Sequence, residues 1–321
     1  MPLPSDEKLL ALSGDVLKAF DAIFSLHPGF RPAHAKGELL TGTFAPSKDA
    51  ISLTRAQHIA RASTLVVVRF SNATGLPQLP DNDPNANPRG MAIRFQLAEH
   101  VHTDVISHSV DGFPVRTGPE FLELLRAVAA SDPAKLSGSP LEAFLGSHPA
   151  ALAFVQPKPV PSSFAREAFF GVTALRFTNQ AGVSRYGRYR IIPDAGVEHL
   201  DDATAKGKDV NFLFDDLTRR LSAGPISFRI VVQVANENDV VDNATIHWPE
   251  DRPLINFGKL TLTGTVPDDA REQKQIIFDP IPRVDGIEPS DDPLLELRAA
   301  IYLISGRRRR KAAEQVRGEI N

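Results

Sequence analysis

The chain has 321 residues, of which 42% are hydrophobic and 23% are charged, and its formal net charge is -3 at pH 7. This balance is typical of a globular protein with a buried core, and it leaves no excess of cations to attract nucleic acid or an anionic membrane. Cysteine is absent, which excludes disulfides, thiolate nucleophiles, iron–sulfur clusters and thiolate-ligated metals. We therefore expect any redox chemistry to come from a bound cofactor, and the partner to be a small molecule.

The N-terminal segment has the period of an amphipathic helix over residues 6–26, which the breaker His27-Pro28-Gly29 ends. It has neither the basic region nor the uninterrupted apolar region of a secretory signal. No apolar run in the chain approaches the roughly 20 residues that span a bilayer. We therefore predict a cytoplasmic protein that does not enter the membrane.

Apolar and alternating runs between turn-rich stretches predict two sets of strands. The first set covers 38–44, 64–70, 90–97 and 103–109, and the second covers 174–179, 185–192, 226–234 and 259–265. Helical patterns mark 119–130, 140–153 and 197–222, and a last helix is expected from about 293 to 305, where Gly306 stops it. Without repeats or linkers, the pattern predicts one α+β domain over 1–321, with both strand sets paired into one antiparallel barrel within about 34–265.

The last helix carries a spacing that suggests a metal ligand. Arg298, Tyr302 and Arg309 lie four and eleven residues apart, so they share one face if the helix continues through Gly306. An arginine one turn from a tyrosine favours the phenolate, which is a good ligand of ferric iron and a known haem ligand. A solvated basic C-terminus over 307–311 explains the same charges, so the spacing alone leaves both interpretations open. Taken singly, His34 and the strand end Arg69-Phe70-Ser71 also fit ordinary surface or core positions.

Several motifs together, in order from residue 31 to residue 309, resemble the catalase family. The stretch Arg31-Pro32-Ala33-His34-Ala35-Lys36-Gly37 is similar to the family's distal-histidine motif, and Arg69-Phe70-Ser71 is similar to the strand that supplies its distal serine. Further similar blocks cover 83–95, 244–249, 253–260, 278–280 and 286–290. Arg298 and Tyr302 then fall where the family carries its proximal tyrosine.

This resemblance implies a catalase-like antiparallel β-barrel with surrounding helices that contains haem b. By the resemblance, Tyr302 is the axial ligand of the iron, paired with Arg298. His34 is the acid–base group, and Ser71 forms a hydrogen bond with that histidine or with the ring around it. The resemblance also implies further haem contacts, with arginines at the propionates and a phenylalanine in the pocket: Arg31, Arg69, Arg309 and Phe113.

The sequence departs from the family at the distal asparagine, which the family carries in a Gly-Asn-Asn-Thr-Pro stretch. An ungapped comparison over 107–113 puts Ser109 at the asparagine position and His108 just before it, and leaves open whether His108 points into the pocket. The missing amide favours a peroxidase that reduces hydrogen peroxide or organic hydroperoxides with an external donor over a dismutase. Because the chain ends shortly after Arg309, we expect a homodimer or other small homo-oligomer and no NADPH site.

Two other functions stay open on the sequence. A hydroperoxide isomerase or dehydratase, resembling the catalase-like allene oxide synthases, would consume lipid hydroperoxide without a donor. A haem-binding or storage protein would keep the scaffold without turnover, although such a protein has no need of His34 as an acid–base group.

Overall fold

Antiparallel strands and α-helices make up the part of the chain that the structure describes. The computed structural model covers residues 3–318 of the 321. The strands are β1 (Gly37–Pro46), β2 (Thr64–Ser71), β3 (Gly90–Ala98), β4 (Val101–His108), β5 (Val160–Pro161), β6 (Phe169–Phe170), β7 (Leu175–Thr178), β8 (Ser184–Pro193), β9 (His199–Leu200), β10 (Ile226–Val234), β11 (Leu254–Thr265) and β12 (Ile287–Pro289). The α-helices are α1 (Glu7–Phe24), α2 (Gly118–Ala129), α3 (Pro140–Ser147), α4 (Pro149–Val155), α5 (Asp202–Lys206), α6 (Phe212–Ala223), α7 (Asp269–Gln275) and α8 (Leu294–Gly318).

A closed barrel forms the centre of the fold. Its strands follow the order β10-β11-β1-β2-β3-β4-β6-β8, and β8 pairs back onto β10. The predicted α+β class and antiparallel barrel are confirmed. Alternate side chains from the strands fill the interior, among them Leu40, Val68, Ile93, Phe228 and Leu260, since successive residues of a strand face opposite sides. Closure pairs the strands of the barrel on both sides and so leaves no free edge at the ring.

Three helices pack outside the barrel and form a second apolar core. Helix α1 packs against α2 and α8, with Val16, Leu122 and Ile301 among the buried residues they share. The N-terminus of α2 is fixed by a capping box between Thr117 and Glu120. Among residues 3–318, no helix is long and apolar enough to cross a bilayer.

The last helix is longer than predicted. Gly306 does not end it, and α8 continues to Gly318. A Cβ added to Gly306 would lie 2.3 Å from Ile277 Cδ1, so the glycine lets Ile277 pack directly against the helix. A salt bridge of 2.7 Å between Arg308 and Asp21 then ties the extended part of α8 to α1. The prediction that the helix stops at residue 305 was wrong because tertiary packing offsets the low helix propensity of glycine.

Two other predicted helices are divided. The segment 140–153 forms α3 and α4 with His148 between them, since the residue before a proline disfavours the helical conformation and Pro149 starts a new helix. The segment 197–222 contains β9, α5 and all but the last residue of α6 rather than one helix.

The barrel interior holds a histidine whose protonation opposes folding. His58 is 1% exposed, and its ring stacks on Phe95 at a centroid distance of 4.8 Å. Burial, followed by the charge of Arg61, lowers the pKa of His58 to about 4. Between its ordinary pKa of about 6.5 and about 4, the unfolded chain therefore binds a proton that the folded barrel excludes.

We predict that acid destabilises the wild type more steeply than a His58→Phe variant. As the pH falls from about 6.5 to about 4.5, the free energy of unfolding of the wild type should fall by up to about 1.4 kcal/mol per pH unit more than that of the variant. Urea denaturation at several pH values measures both slopes, with His100→Asn as the control because the His100 side chain is 93% exposed. Parallel slopes for wild type and His58→Phe would contradict the assignment.

Candidate active site

His34 lies at the ends of two barrel strands, where a glycine makes room for it. His34 Nδ1 is 3.1 Å from Ser71 Oγ at the end of β2. Ser71 pairs with Gly90 at the start of β3, and a Cβ added to Gly90 would lie 2.4 Å from Ser71 Oγ and 2.9 Å from His34 Nδ1. Any other residue at position 90 would therefore displace one of these two groups. Sequence reasoning gave Gly90 no role, although it lies within one of the family-like motifs.

The backbone holds His34 in a conformation that residues other than glycine rarely adopt. Its φ is 56°, in the left-handed region, which persists in a non-glycine residue only where the surroundings enforce it. The His34 N–H donates to the carbonyl of Ala73 at 2.5 Å, and the Ala35 N–H donates to that of Thr74 at 2.9 Å. These two bonds tie the histidine segment to the chain that follows β2.

A buried polar network supports the strand ends behind His34 and Ser71. Asp81 Oδ1 accepts from Lys36 Nζ at 2.7 Å and from Asn72 Nδ2 at 2.8 Å, and Asp81 Oδ2 accepts from the Leu213 N–H at 2.9 Å. The buried Arg89 donates to the Asp81 carbonyl at 2.6 Å and to Asn72 Oδ1. Largely buried networks of this kind fix one arrangement of the chain, because a broken bond leaves a buried polar group unpaired.

The imidazole of His34 is neutral at pH 7. Burial is the main cause that lowers its pKa to about 4, and the charges of Arg69, Arg31 and Arg298 lower it further against a hydrogen bond with the backbone of Asn72. A neutral ring accepts a proton, as a general base must. These charges act on His34 because the three guanidinium groups lie near it.

Arg31, Arg69 and Arg309 form a group that we call the arginine cluster. Their guanidinium groups donate to neutral oxygens, at the following distances. Arg31 donates to the carbonyls of Gln273 and Ile276, both at 3.3 Å; Arg69 donates to Gln273 Oε1 at 2.9 Å and the Ala35 carbonyl at 3.2 Å; Arg309 donates to Ser305 Oγ at 2.9 Å and the Ile276 carbonyl at 2.8 Å.

The arginine cluster holds more positive charge than its surroundings neutralise. Burial, and then repulsion within the cluster, lowers the pKa of Arg69 to about 9 and that of Arg309 to about 8, and the pKa of Arg31 is lowered for the same reasons. Asp269 offsets part of this effect for Arg31 and Arg69. Within the described chain, Arg309 Nε is buried without a hydrogen-bond partner. Such a cluster fits a ligand with carboxylate groups, which accept charge-assisted bonds from guanidinium.

Arg298 and Tyr302 lie one turn apart on α8, as the sequence spacing indicated. Arg298 donates to Tyr302 Oη at 3.3 Å and to Thr173 Oγ1 at 3.4 Å. The Tyr302 ring is half-buried and packs against the apolar residues shared by α1, α2 and α8. Because α8 continues through Gly306, Arg309 extends from the same helix face. Thr173 was not expected at the site, and no local signal in the sequence marks it.

Phe113 lies in an aromatic group beyond the end of β4. Its N–H donates to the carbonyl of Ala244 at 2.9 Å, and its ring centroid is 5.4 Å from Phe121 and 6.4 Å from Phe154. Phe154 in turn lies 6.1 Å from the ring of His108. Sequence reasoning missed Phe154, because a phenylalanine in an amphipathic helix looks like any other apolar residue.

Comparison with protein families and curated proteins gives a consistent result. The family model described as "Catalase" matches residues 29–316. The chain is 35% identical over 297 residues to a catalase-related peroxidase of Mycolicibacterium paratuberculosis, a match that covers 90% of this chain and 92% of that protein. It is 32% identical over 297 residues to a catalase-related peroxidase of Synechococcus elongatus, covering 90% and 86% of the two chains.

Solved structures show the same fold at lower sequence identity. A fungal catalase superimposes with a TM-score of 0.76 at 22% identity, covering 87% of this chain and 59% of that one. Catalase A from Saccharomyces cerevisiae gives a TM-score of 0.76 at 21% identity, covering 87% and 61%. The match of the family model to most of the sequence, together with these relatives, shows that the chain belongs to the catalase family.

Proposed function

We propose that the protein is a haem-dependent peroxidase that reduces hydrogen peroxide or organic hydroperoxides with an external electron donor. The observation that carries this proposal is the neutral, partly buried His34, held by Ser71 and close to the charges of Arg69, Arg31 and Arg298. The two relatives named as catalase-related peroxidases, which the chain matches over most of their length, support the same function.

The residues present fit haem b, the haem type that we propose. Proteins of the catalase family bind haem, whose two propionates would satisfy the excess positive charge of Arg31, Arg69 and Arg309. Tyr302 would bind the iron, since a phenolate suits ferric iron, and Phe113 would contact the haem ring. When bound, the haem would supply the iron at which the O–O bond of the peroxide is cleaved.

His34 is the proposed acid–base group of the reaction. In its neutral ring, an Nδ1–H that donates to Ser71 Oγ leaves Nε2 unprotonated. Nε2 then accepts the proton of the O–H group of the peroxide and delivers it to the other oxygen, which leaves as water or an alcohol. Overall, ROOH takes up two electrons from the donor and two protons, and yields ROH and water.

Arg298 is the proposed partner of Tyr302, the ligand of the iron. Its guanidinium donates a hydrogen bond to Tyr302 Oη at 3.3 Å and so places a positive charge beside the proposed ligand oxygen. A phenolate donates electron density, which favours cleavage of the O–O bond.

Replacing Tyr302 by phenylalanine tests the ligand. The variant lacks the phenolic oxygen, so we expect the visible spectrum of the haem-loaded protein to change, whereas Tyr186→Phe on β8 leaves it as in the wild type. Absorbance spectra of the three ferric proteins measure this. Identical spectra for Tyr302→Phe and the wild type would exclude Tyr302 as the ligand, and failure of the wild type to bind haem would overturn the proposed function.

Replacing His34 by glutamine tests the acid–base role. We expect kcat/KM for peroxide reduction to fall by about 10²- to 10⁴-fold, the usual contribution of general acid–base catalysis. The control is His102→Gln on the same barrel, and stopped-flow assays with hydrogen peroxide and an alkyl hydroperoxide measure the rates.

The wild-type rate should also follow the protonation of His34. Because the pKa of His34 is lowered to about 4, the rate should stay level as the pH falls from about 7 to about 5 and be lost as the pH falls through about 4. A loss of half the rate near pH 6.5, the ordinary pKa of histidine, would show that the active base is not His34 as this structure holds it.

The arginine cluster predicts that two arginines of α8 contribute differently to haem affinity. Arg309 is 3% exposed, and Arg309→Met removes a charge facing the proposed propionates, so haem affinity should fall about tenfold or more, the value of a hydrogen bond between charged groups. Arg307→Met, which changes an exposed position of the same helix, should leave affinity unchanged. Haem titrations measure both, and equal affinities would place the propionates elsewhere.

A further inference from the structure

His108 lies in one row with the groups of the proposed active site. Gly90 pairs with Ser71 on one side and with His108 on the other, and residues directly opposite each other in antiparallel strands point to the same face. At the usual strand spacing, Ser71 and His108 are about 10 Å apart. The gap over Gly90 is where His34 Nδ1 lies, 2.9 Å from the position that a Cβ would take. The ring of His34 therefore sits between Ser71 and His108.

The hydrogen bonding of His108 defines where its proton is. The Val110 N–H donates to His108 Nδ1 at 3.3 Å. A ring nitrogen that accepts a hydrogen bond carries no proton, so in neutral His108 the proton is on Nε2. Within residues 3–318, His108 Nε2 is buried and has no hydrogen-bond partner. Buried donors are normally paired, so an orphan N–H at an active site marks the place of a ligand's acceptor.

The surroundings keep His108 neutral and hold its ring in place. Burial, and then the charges of His34 and Arg298, lowers its pKa to about 3. Phe154 packs against the ring edge to face, with an interplanar angle of 88°. His108 therefore offers a fixed N–H donor and does not compete with His34 for the proton of the peroxide.

We propose that the Nε2–H of His108 donates a hydrogen bond to the bound peroxide and so orients it beside His34. This inference rests on the proposed peroxidase function. It supplies, from an imidazole, the donor that the missing asparagine amide would provide. The hydroxyl oxygen of the neighbouring Ser109 instead lies against the backbone, where it accepts a hydrogen bond from the Arg89 N–H at 2.9 Å.

Fluoride binding to the haem-loaded protein tests this donor without turnover. Fluoride binds ferric haem as an anion that only accepts hydrogen bonds, so His108→Leu should weaken it by about tenfold or more, whereas His108→Asn, which restores an N–H donor, should regain most of the affinity. His102→Leu on the same strand is the matched control, and spectral titration gives each Kd. The KM for peroxide should rise in His108→Leu and recover in His108→Asn.

Unchanged fluoride affinity in haem-loaded His108→Leu would overturn this inference and leave the proposed function standing. A wild type that takes up no haem would overturn both, so the two failures are distinguishable. A second measurement does not depend on haem: two-bond ¹H–¹⁵N spectra of the histidine-labelled full chain, with His108 assigned through the signal lost in His108→Asn. We expect the proton on Nε2 at pH 7, and a proton on Nδ1 would overturn the inference.

Discussion

The register of three barrel strands at Ser71, Gly90 and His108 is the constraint on which the candidate site depends. Because these residues are directly opposite each other, their side chains share one face, and the absence of a side chain on the middle strand opens the space that His34 occupies. A shift of one residue would turn each side chain to the other face of the sheet. The closed barrel and the Asp81 network prevent that shift, so the scaffold fixes the relative positions of Ser71, His34 and His108.

The electrostatics of the site gives its histidines and its arginine cluster different functions. Burial keeps His34 and His108 neutral, so one is available as a proton acceptor and the other as a donor of fixed orientation. The arginine cluster holds buried positive charge that neutral oxygens only partly satisfy, and it therefore suits an anionic cofactor. The same burial that prepares the histidines for chemistry costs stability in acid, since the unfolded chain binds the protons that the fold excludes.

Relatives of similar length and larger family members match this chain to different extents. The match to the Mycolicibacterium relative covers 92% of that protein, whereas the match to the fungal catalase covers 59% of that chain. The barrel, the histidine segment and all but the end of α8 lie within residues 29–316, which the family model matches. His108 at the end of β4 and the following Ser109 lie where the sequence predicts a departure from the family's asparagine motif, and the structure places these two residues in different environments. The proposed preference for peroxidase chemistry depends on this departure from the asparagine motif.

Local pattern in the sequence determined most of the elements. Eight of the twelve strands in the described chain were predicted, with ends correct to within about five residues, because alternation and turn residues are local signals. The short strands β5, β6, β9 and β12 were not predicted. The motifs in order predicted the barrel and brought together His34, Ser71, Arg298 and Tyr302 as candidates. The continuation of α8 through Gly306 depended on Ile277, which lies outside that helix. The contacts of Thr173 with Arg298 and of Phe154 with His108 likewise join residues that are far apart in the chain. The surroundings of His108 Nε2 also come from such residues. Only barrel closure and helix packing set those distances, and no pattern of neighbouring residues encodes them.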